Sequence, residues 1–317
     1  IALGYQQHRG KTDKTILVGR ERAYHGVGFG GISVGGLPGN KKHFSLLENV
    51  DHICATHNLE KNAFSKGQPE WGKELANDLL RVIEKHGADK IAAFITEPLA
   101  GSTGVLIPPK GYLERIREIC TEHDILLIFD EVITGFGRLG APFAAQYFNV
   151  EPDLITCAKG LTSGTVPMGA VMVKKEIYDA FQDRGPMVID LFHGYTYSAH
   201  PLAAVALIAT LDVYQEDELF KHAKEMSSYW EDALHSLRDT KHVIDVRNLG
   251  LVAGVEMETR DGKPGVRGYD VFTDGFHNHN ILLRFTGDTL ALSPPLIAGK
   301  EHIDQMVDVL RKIIPIH

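Results

Sequence analysis

ILLIFDEVITGFGRLGAPFAAQYFNVEPDLITCAKG, residues 125–160, decides the fold. It contains two continuous apolar runs, ILLIF ending in Asp130 and LITCA ending in Lys159. Between them lies a short helix-like segment, APFAAQYF. Strands that are apolar at every position are covered on both faces, and such strands separated by helices build a parallel sheet. In sheets of this kind ligands bind beyond the carboxyl ends of the strands. Both ionisable residues, Asp130 and Lys159, arrive at that edge.

The same alternation runs outward on the N-terminal side. TILVGR (15–20) and IAAFITEP (91–98) read as strands, and GAVMVKKE (169–176) as another. WGKELANDLLRVIEKHGADK (71–90) carries Leu75, Leu79, Val82 and Ile83 at helical spacing, which predicts one helix closed by Gly87. GYLERIREICTEHD places Leu113, Ile116 and Cys120 on one helix face. After residue 198 the texture changes. A long helix opens at Pro201, where proline is tolerated in a first turn. Strands follow in 242–258, 280–287 and 289–296, with a helix near residue 270. A closing helix has Ile303, Met306, Val307, Leu310 and Ile314 on one face. The expected fold is α/β, a mainly parallel sheet with helices on both faces, plus a smaller α+β C-terminal lobe. The expected units are residues 1–205 and residues 206–317, the second beginning with the connecting helix.

At 317 residues the chain can bury a large core. Its net charge of −8 argues against a basic nucleic-acid footprint and against a polybasic membrane surface. No window reaches the ~18 apolar residues of a membrane span. Cys54, Cys120 and Cys157 are odd in number and lack CxxC spacing, so they read as reduced core thiols of a cytoplasmic protein. Neither HExxH nor a Cys/His pairing occurs, so no metal site is expected. The chain begins IALGYQQHRG, without an initiator methionine or a signal pattern. IALGYQQ reads as the end of a helix already under way, and an upstream segment is expected to be missing.

A lysine desolvated at a strand end has a lowered pKa and can attack a carbonyl as the free amine. A carboxylate beside it can hold a protonated heterocycle nitrogen. That pairing is what pyridoxal phosphate chemistry requires, with lysine at the carbonyl and an acid at the ring nitrogen. The plainer reading also stands on pattern alone: Lys159 snorkels to water and Asp130 caps a helix. GVGFGG satisfies G-x-G-x-x-G through Gly26, Gly28 and Gly31. No apolar strand leads straight into it, and ISVGGLPGN is expected to break the helix that should follow, so nicotinamide binding is not expected.

LLIFDEVITGFGRLG, CAKGLTSGTVPMGAV, ITEPLAGSTG and YHGVGFGGISVGG resemble the class III aminotransferases, pyridoxal phosphate enzymes of fold type I. FHGYTYSAHP and LLRFTGDTLALSPPL are most similar to the omega-amino acid:pyruvate (beta-alanine:pyruvate) group. The resemblance covers essentially the whole chain. It implies that Lys159 is the Schiff-base lysine and Asp130 the partner of the pyridine nitrogen. Val132 would pack on one ring face and Tyr24 on the other, with His25 in support and Glu97 near the cofactor edge. Thr196 would bind the phosphate of the neighbouring subunit's cofactor, and Arg284 the substrate carboxylate. Arg138 reads as structural support near the site.

The implied reaction is ping-pong transfer of an amino group from an omega-amino acid or amine, beta-alanine-like, to pyruvate. It gives a semialdehyde or ketone and L-alanine, with Lys159 as general base. The implied assembly is a homodimer or dimer of dimers with the active site at the subunit interface. Other class III activities fit the same words: taurine, diamine or 4-aminobutyrate aminotransferase, or aminomutase. So does a cofactor-free inactive fragment acting only in subunit association. Family members carry upstream a Gly/Ser-rich helix start that grips the phosphate. The chain as it stands is therefore expected to bind pyridoxal phosphate weakly or not at all.

Overall fold

The computed structural model describes residues 1–182 and 189–317. Among these, six strands form one sheet in the order β2-β1-β3-β4-β5-β6. They are β1 (Ile16–Arg20), β2 (Val50–Ile53), β3 (Ile91–Thr96), β4 (Leu126–Asp130), β5 (Leu154–Cys157) and β6 (Ala170–Val173). The first five pair in parallel. β6 runs antiparallel to β5, which its apolar pattern did not disclose. The link between them holds only the 3-10 turn Lys159–Leu161, too short to carry the chain back across a face.

The residues of β3 and β4 are apolar on both sides because both sides are covered. Phe94, Leu127 and Phe129 are fully buried, packed with Leu79, Leu113, Ile116 and Tyr112 from the flanking helices. The helix expected over 71–90 is two, Gly72–Ala76 and Asp78–His86. The chain turns at Asn77, where Asp78 points aside to accept the Cys54 N–H at 2.8 Å. Phe29–Val34 is helical where a break was expected; it stops at Gly35, whose N–H donates to Gly31 O. Cys120 and Cys157 are buried, but Cys54 is exposed, because it follows β2 at the sheet edge.

A second sheet, all antiparallel, has the order β7-β8-β10-β9. Its strands are β7 (Val243–Leu249), β8 (Val252–Met257), β9 (Arg284–Thr286) and β10 (Thr289–Leu292). Helix Leu219–His235 lays Ala223, Met226, Trp230 and Leu234 on it, a spacing that keeps one helix face apolar. Helix Lys300–Ile313, packed against it, adds Ile303, Val307 and Leu310. Truncating a buried aromatic such as Trp230 typically costs about 3–5 kcal/mol, so this cluster is a core in its own right.

The strands that carry Asp130 and Lys159 are pinned by one buried carboxylate. Asp153, just before β5, accepts the Leu127 N–H of β4 and Arg117 Nη1, both at 2.8 Å, and meets Lys174 Nζ at 3.0 Å. Burial alone would raise its pKa. The bonds from Arg117, Leu127 and Lys174 outweigh that and hold it below the ordinary 3.8. A carboxyl depressed on folding contributes stability above its unfolded pKa, and that stability is lost as pH falls through the lower folded value. Asp153→Asn is expected to cost about 1–3 kcal/mol at pH 7, since it removes a buried charge-assisted acceptor shared by Arg117, Lys174 and the Leu127 N–H. In urea titrations, the gap between wild type and variant should narrow as pH drops from 5 toward 2. A gap constant with pH would overturn this assignment.

Candidate active site

β4 and β5 pair with Asp130 opposite Thr156, so Asp130 and Lys159 leave the sheet on the same edge. Directly past Ala158 the backbone of Lys159 turns left-handed, with φ +43°. Such a conformation costs a non-glycine residue about 1–3 kcal/mol and persists only where its surroundings hold it. Three contacts hold this one. Lys159 O accepts the Gly164 N–H at 3.2 Å, and Tyr214 Oη donates to Gly160 O at 2.7 Å. Gly160 itself lies so close to Phe136 that a Cβ would come within 2.8 Å of the Phe136 Cβ. Sequence reasoning passed over Tyr214: it reads as one more residue of the helix Pro201–Glu216, and its partner is 54 positions away.

Lys159 projects into a cavity of about 850 Å³ shared with Val132, Thr165, Tyr214, Leu296 and Arg284. Desolvation lowers the lysine pKa from 10.5; Asp130 opposes this, Arg284 adds to it, and Glu97 opposes it. The side chain is still exposed to the cavity, so solvent moderates the shift. Lys159 thus holds more free amine near neutral pH than a surface lysine.

Asp130 is 9% exposed and fully engaged at its two oxygens. Oδ1 accepts the Val132 N–H at 3.1 Å, and Oδ2 lies 2.8 Å from His25 Nδ1. A carboxylate only accepts, so His25 Nδ1 carries the proton in this pair. Among the described residues, His25 Nε2 is buried without a hydrogen-bond partner. Behind it sits Glu97, whose Oε1 accepts the Tyr24 N–H at 2.8 Å and whose Oε2 accepts the Gly101 N–H at 3.2 Å. Burial pushes the Glu97 pKa up, with His25, Arg20 and the Tyr24 N–H pulling the other way. Arg20, also unremarked in the sequence, is fully buried and donates to Glu97 O at 3.3 Å.

The structure therefore brings Lys159, Asp130, Val132, His25, Glu97 and Arg284 into one region. Tyr24 is half-buried and joins it through its backbone, lining with His25 a separate hollow of about 10 Å³. Thr196 stands apart: it is exposed, between Tyr195 and Tyr197, and is not on the cavity wall. Arg284, on β9, reaches the cavity with Nη2 donating to Ser102 O at 3.3 Å. Arg138 lines the cavity and braces it, Nη1 donating to Leu251 O at 3.0 Å and Pro294 O at 2.6 Å. Glu131, next to Asp130, turns the other way and accepts the Ala144 and Ala145 N–H groups, capping the helix Ala144–Tyr147. Successive side chains at the end of a strand leave on opposite sides, so Asp130 serves the site and Glu131, just past β4, the fold.

A lowered-pKa lysine and a doubly held carboxylate at the ends of neighbouring strands, with an arginine in the same cavity, is a site for reversible amine–carbonyl chemistry. Comparisons with known proteins agree. The family described as aminotransferase class-III matches residues 1–314. An omega-aminotransferase of Caulobacter vibrioides is 61% identical over 99% of this chain and 72% of its own length. The beta-alanine–pyruvate aminotransferase of Pseudomonas aeruginosa is 47% identical over 98% of this chain and 69% of its own. A solved transaminase with L-Ala superposes with a TM-score of 0.92 at 32% identity, covering 99% of this chain and 75% of that one. With the family matched from the first residue almost to the last, the chain belongs to the class III aminotransferases, enzymes dependent on pyridoxal phosphate.

Proposed function

We propose that the chain moves an amino group from an omega-amino acid or amine of the beta-alanine kind to pyruvate, releasing a semialdehyde or ketone and L-alanine. The observation that carries this reading is that Lys159 and Arg284 line one cavity, an amine for the reaction and a guanidinium for a carboxylate. The names of the relatives from Caulobacter vibrioides and Pseudomonas aeruginosa support the donor and acceptor classes.

The residues present fit pyridoxal phosphate. A cofactor with a carbonyl at one end and a basic ring nitrogen at the other needs an amine and a buried, oriented acid, and Lys159 and Asp130 are that pair. When bound, the cofactor supplies the carbonyl that takes up the substrate amine and a ring that withdraws electrons from the amino-bearing carbon. Lys159 would hold the carbonyl end, Asp130 the ring nitrogen, and Val132 and Tyr24 the two ring faces. His25 supports Asp130 through Nδ1, and Glu97 holds the Tyr24 backbone beside them. Lys159 Nζ, with its pKa lowered, is the base that takes the proton from the substrate's amino-bearing carbon and delivers it back on the far side of the transfer. Arg284 binds the carboxylate of pyruvate through its planar fork of donors.

Residues 1–205 and 206–317 act in this reading as two lobes. One apolar cluster, around Trp230, is drawn from residues 223–314 and supports the division, although Leu249 and Val252 of the second lobe pack into the cluster of the first. Lys159 comes from one lobe and Arg284 from the other. The assembly is a homodimer. Helix Pro201–Glu216 is largely apolar, yet only Ala203 is buried, while Leu202, Val205 and Ile208 are about as exposed as surface polar residues. Thr196, exposed before this helix, would bind a partner's cofactor phosphate in such a dimer. A cytoplasmic location is supported by the three unpaired cysteines. Among the described residues no helix is long and apolar enough to cross a membrane.

Three outcomes test this reading. With beta-alanine and pyruvate, Lys159→Ala is expected to lose at least about 10³-fold in kcat, as befits a positioned base that also bonds the cofactor. Turnover that survives the substitution would sink the assignment. Arg284→Ala should raise KM for beta-alanine and pyruvate about 10–100-fold, the value of a charge-assisted pair, with little change for an amine without a carboxylate. Parallel assays with 4-aminobutyrate, taurine and putrescine identify the preferred donor. Light scattering should find a dimer that Val205→Glu with Ile208→Glu converts to monomer; a monomeric wild type would refute the dimer.

A further inference from the structure

The arginine at the cavity rests on a loop that a second arginine holds. Residues 101–105 leave β3 as a small flap whose base is closed by paired bonds between Ala100 and Leu106, 3.2 and 2.9 Å. Its tip is conformationally demanding: Gly104 has φ +112° and Val105 φ +57°. Arg247 of β7, only 2% exposed, takes hold of that tip. Nε donates to Gly104 O at 3.1 Å and to Val105 O at 2.9 Å, and Nη2 to Gly104 O at 2.7 Å. Nη1 reaches Asp245 Oδ2 at 2.5 Å and Glu256 Oε2 at 2.6 Å, with His57 Nε2 3.4 Å from the same Glu256 oxygen. Together His57, Asp245 and Glu256 have the spacing of a cation site, but the guanidinium already meets both carboxylates.

Register explains why one loop meets both arginines. Arg247 pairs with Gly254, Gly254 with Ala291, and Ala291 with Arg284, so the two arginines end one cross-strand row of the second sheet. Residues facing one another across strands share a sheet face. The small residues between them leave a trough in which the flap lies. A Cβ on Gly254 would come within 2.9 Å of Gly104 O and 3.2 Å of Arg247 Nε. At the other end of the row, Ser102 O accepts Arg284 Nη2 at 3.3 Å and Thr286 Oγ1 at 3.0 Å.

We propose that Arg247 is a positioning residue for carboxylate recognition: by clamping Gly104 and Val105 it sets the Ser102 carbonyl on which Arg284 rests. The proposal rests on the reading of Arg284 as the carboxylate-binding residue. Lysine cannot replace Arg247, because three donors on one nitrogen cannot span two acids and a loop in a fixed plane. Gly254→Ala perturbs the same contact by displacing the flap, with every charge retained.

Both variants are to be made in the full chain, beside Arg284→Ala, with two readouts. Hydrogen exchange at the Gly104 and Val105 amides should quicken about 10-fold or more in Arg247→Lys and in Gly254→Ala, as when a loop loses its anchoring bonds. KM for beta-alanine and pyruvate should rise about 5–20-fold, the range of couplings passed through a packed network, while single-turnover consumption of n-propylamine stays within about 2-fold. Equal losses with beta-alanine and n-propylamine would mean a merely structural role and overturn the proposal. So would faster exchange with no change in carboxylate KM, or no change in exchange at all. If Arg284→Ala leaves carboxylate KM unchanged, the reading of Arg284 fails and the proposal falls with it. If Arg284→Ala raises that KM and neither flap variant does, the proposal alone fails. Should Arg247→Lys not fold, Gly254→Ala decides the matter.

Discussion

The site depends on the parallel pairing of β4 with β5, and that pairing is anchored by Asp153. A strand's side chains alternate faces, so a slip of one residue would turn Asp130 away from the site and Glu131 toward it. Asp153 guards against the slip from both sides, since its carboxylate accepts the Leu127 N–H and its own N–H donates to Leu127 O at 2.8 Å. With the register set, the remaining geometry needs only local devices. Val132 N–H and His25 orient the acid, while Tyr214 and the Gly160–Phe136 contact hold the strained turn at Lys159.

Charge in the region is arranged in layers. Lys159 and Arg284 face the cavity, where solvent or substrate can compensate them. Asp130 and Glu97 lie behind, each with hydrogen bonds to both oxygens, which is how a buried acid avoids the cost of an unpaired charge. The proximity of Arg284 and Asp130 to Lys159 pulls its proton affinity in opposite directions, so desolvation decides the sign. The second sheet supplies Arg284 and the buried Arg247, and the 101–105 flap is where the two sheets' contributions meet.

Much of this was legible in the chain itself. The apolar runs in ILLIF and LITCA read as doubly covered strands, and the ends of parallel strands are where ligands bind, so Asp130 and Lys159 stood out without coordinates. What escaped notice had no local signature. The direction of β6 depends on what its preceding loop lacks. The break at Asn77 depends on Cys54, 24 positions from Asp78. Tyr214 and Arg247 act on Gly160 and Gly104 across 54 and 143 positions, and nothing in their immediate neighbours marks them.

The sequence by itself determined the fold class and the family, and it singled out Asp130 and Lys159 as candidates, because periodicity, strand-end placement and motif words are properties of contiguous residues. Only the tertiary structure decided how those residues are held: which oxygen of Asp130 meets His25, which carbonyl Arg284 rests on, and which arginine secures that carbonyl. These are contacts between segments far apart in the chain. They are set by sheet register and by small residues such as Gly160 and Gly254, whose value lies in the space they leave empty.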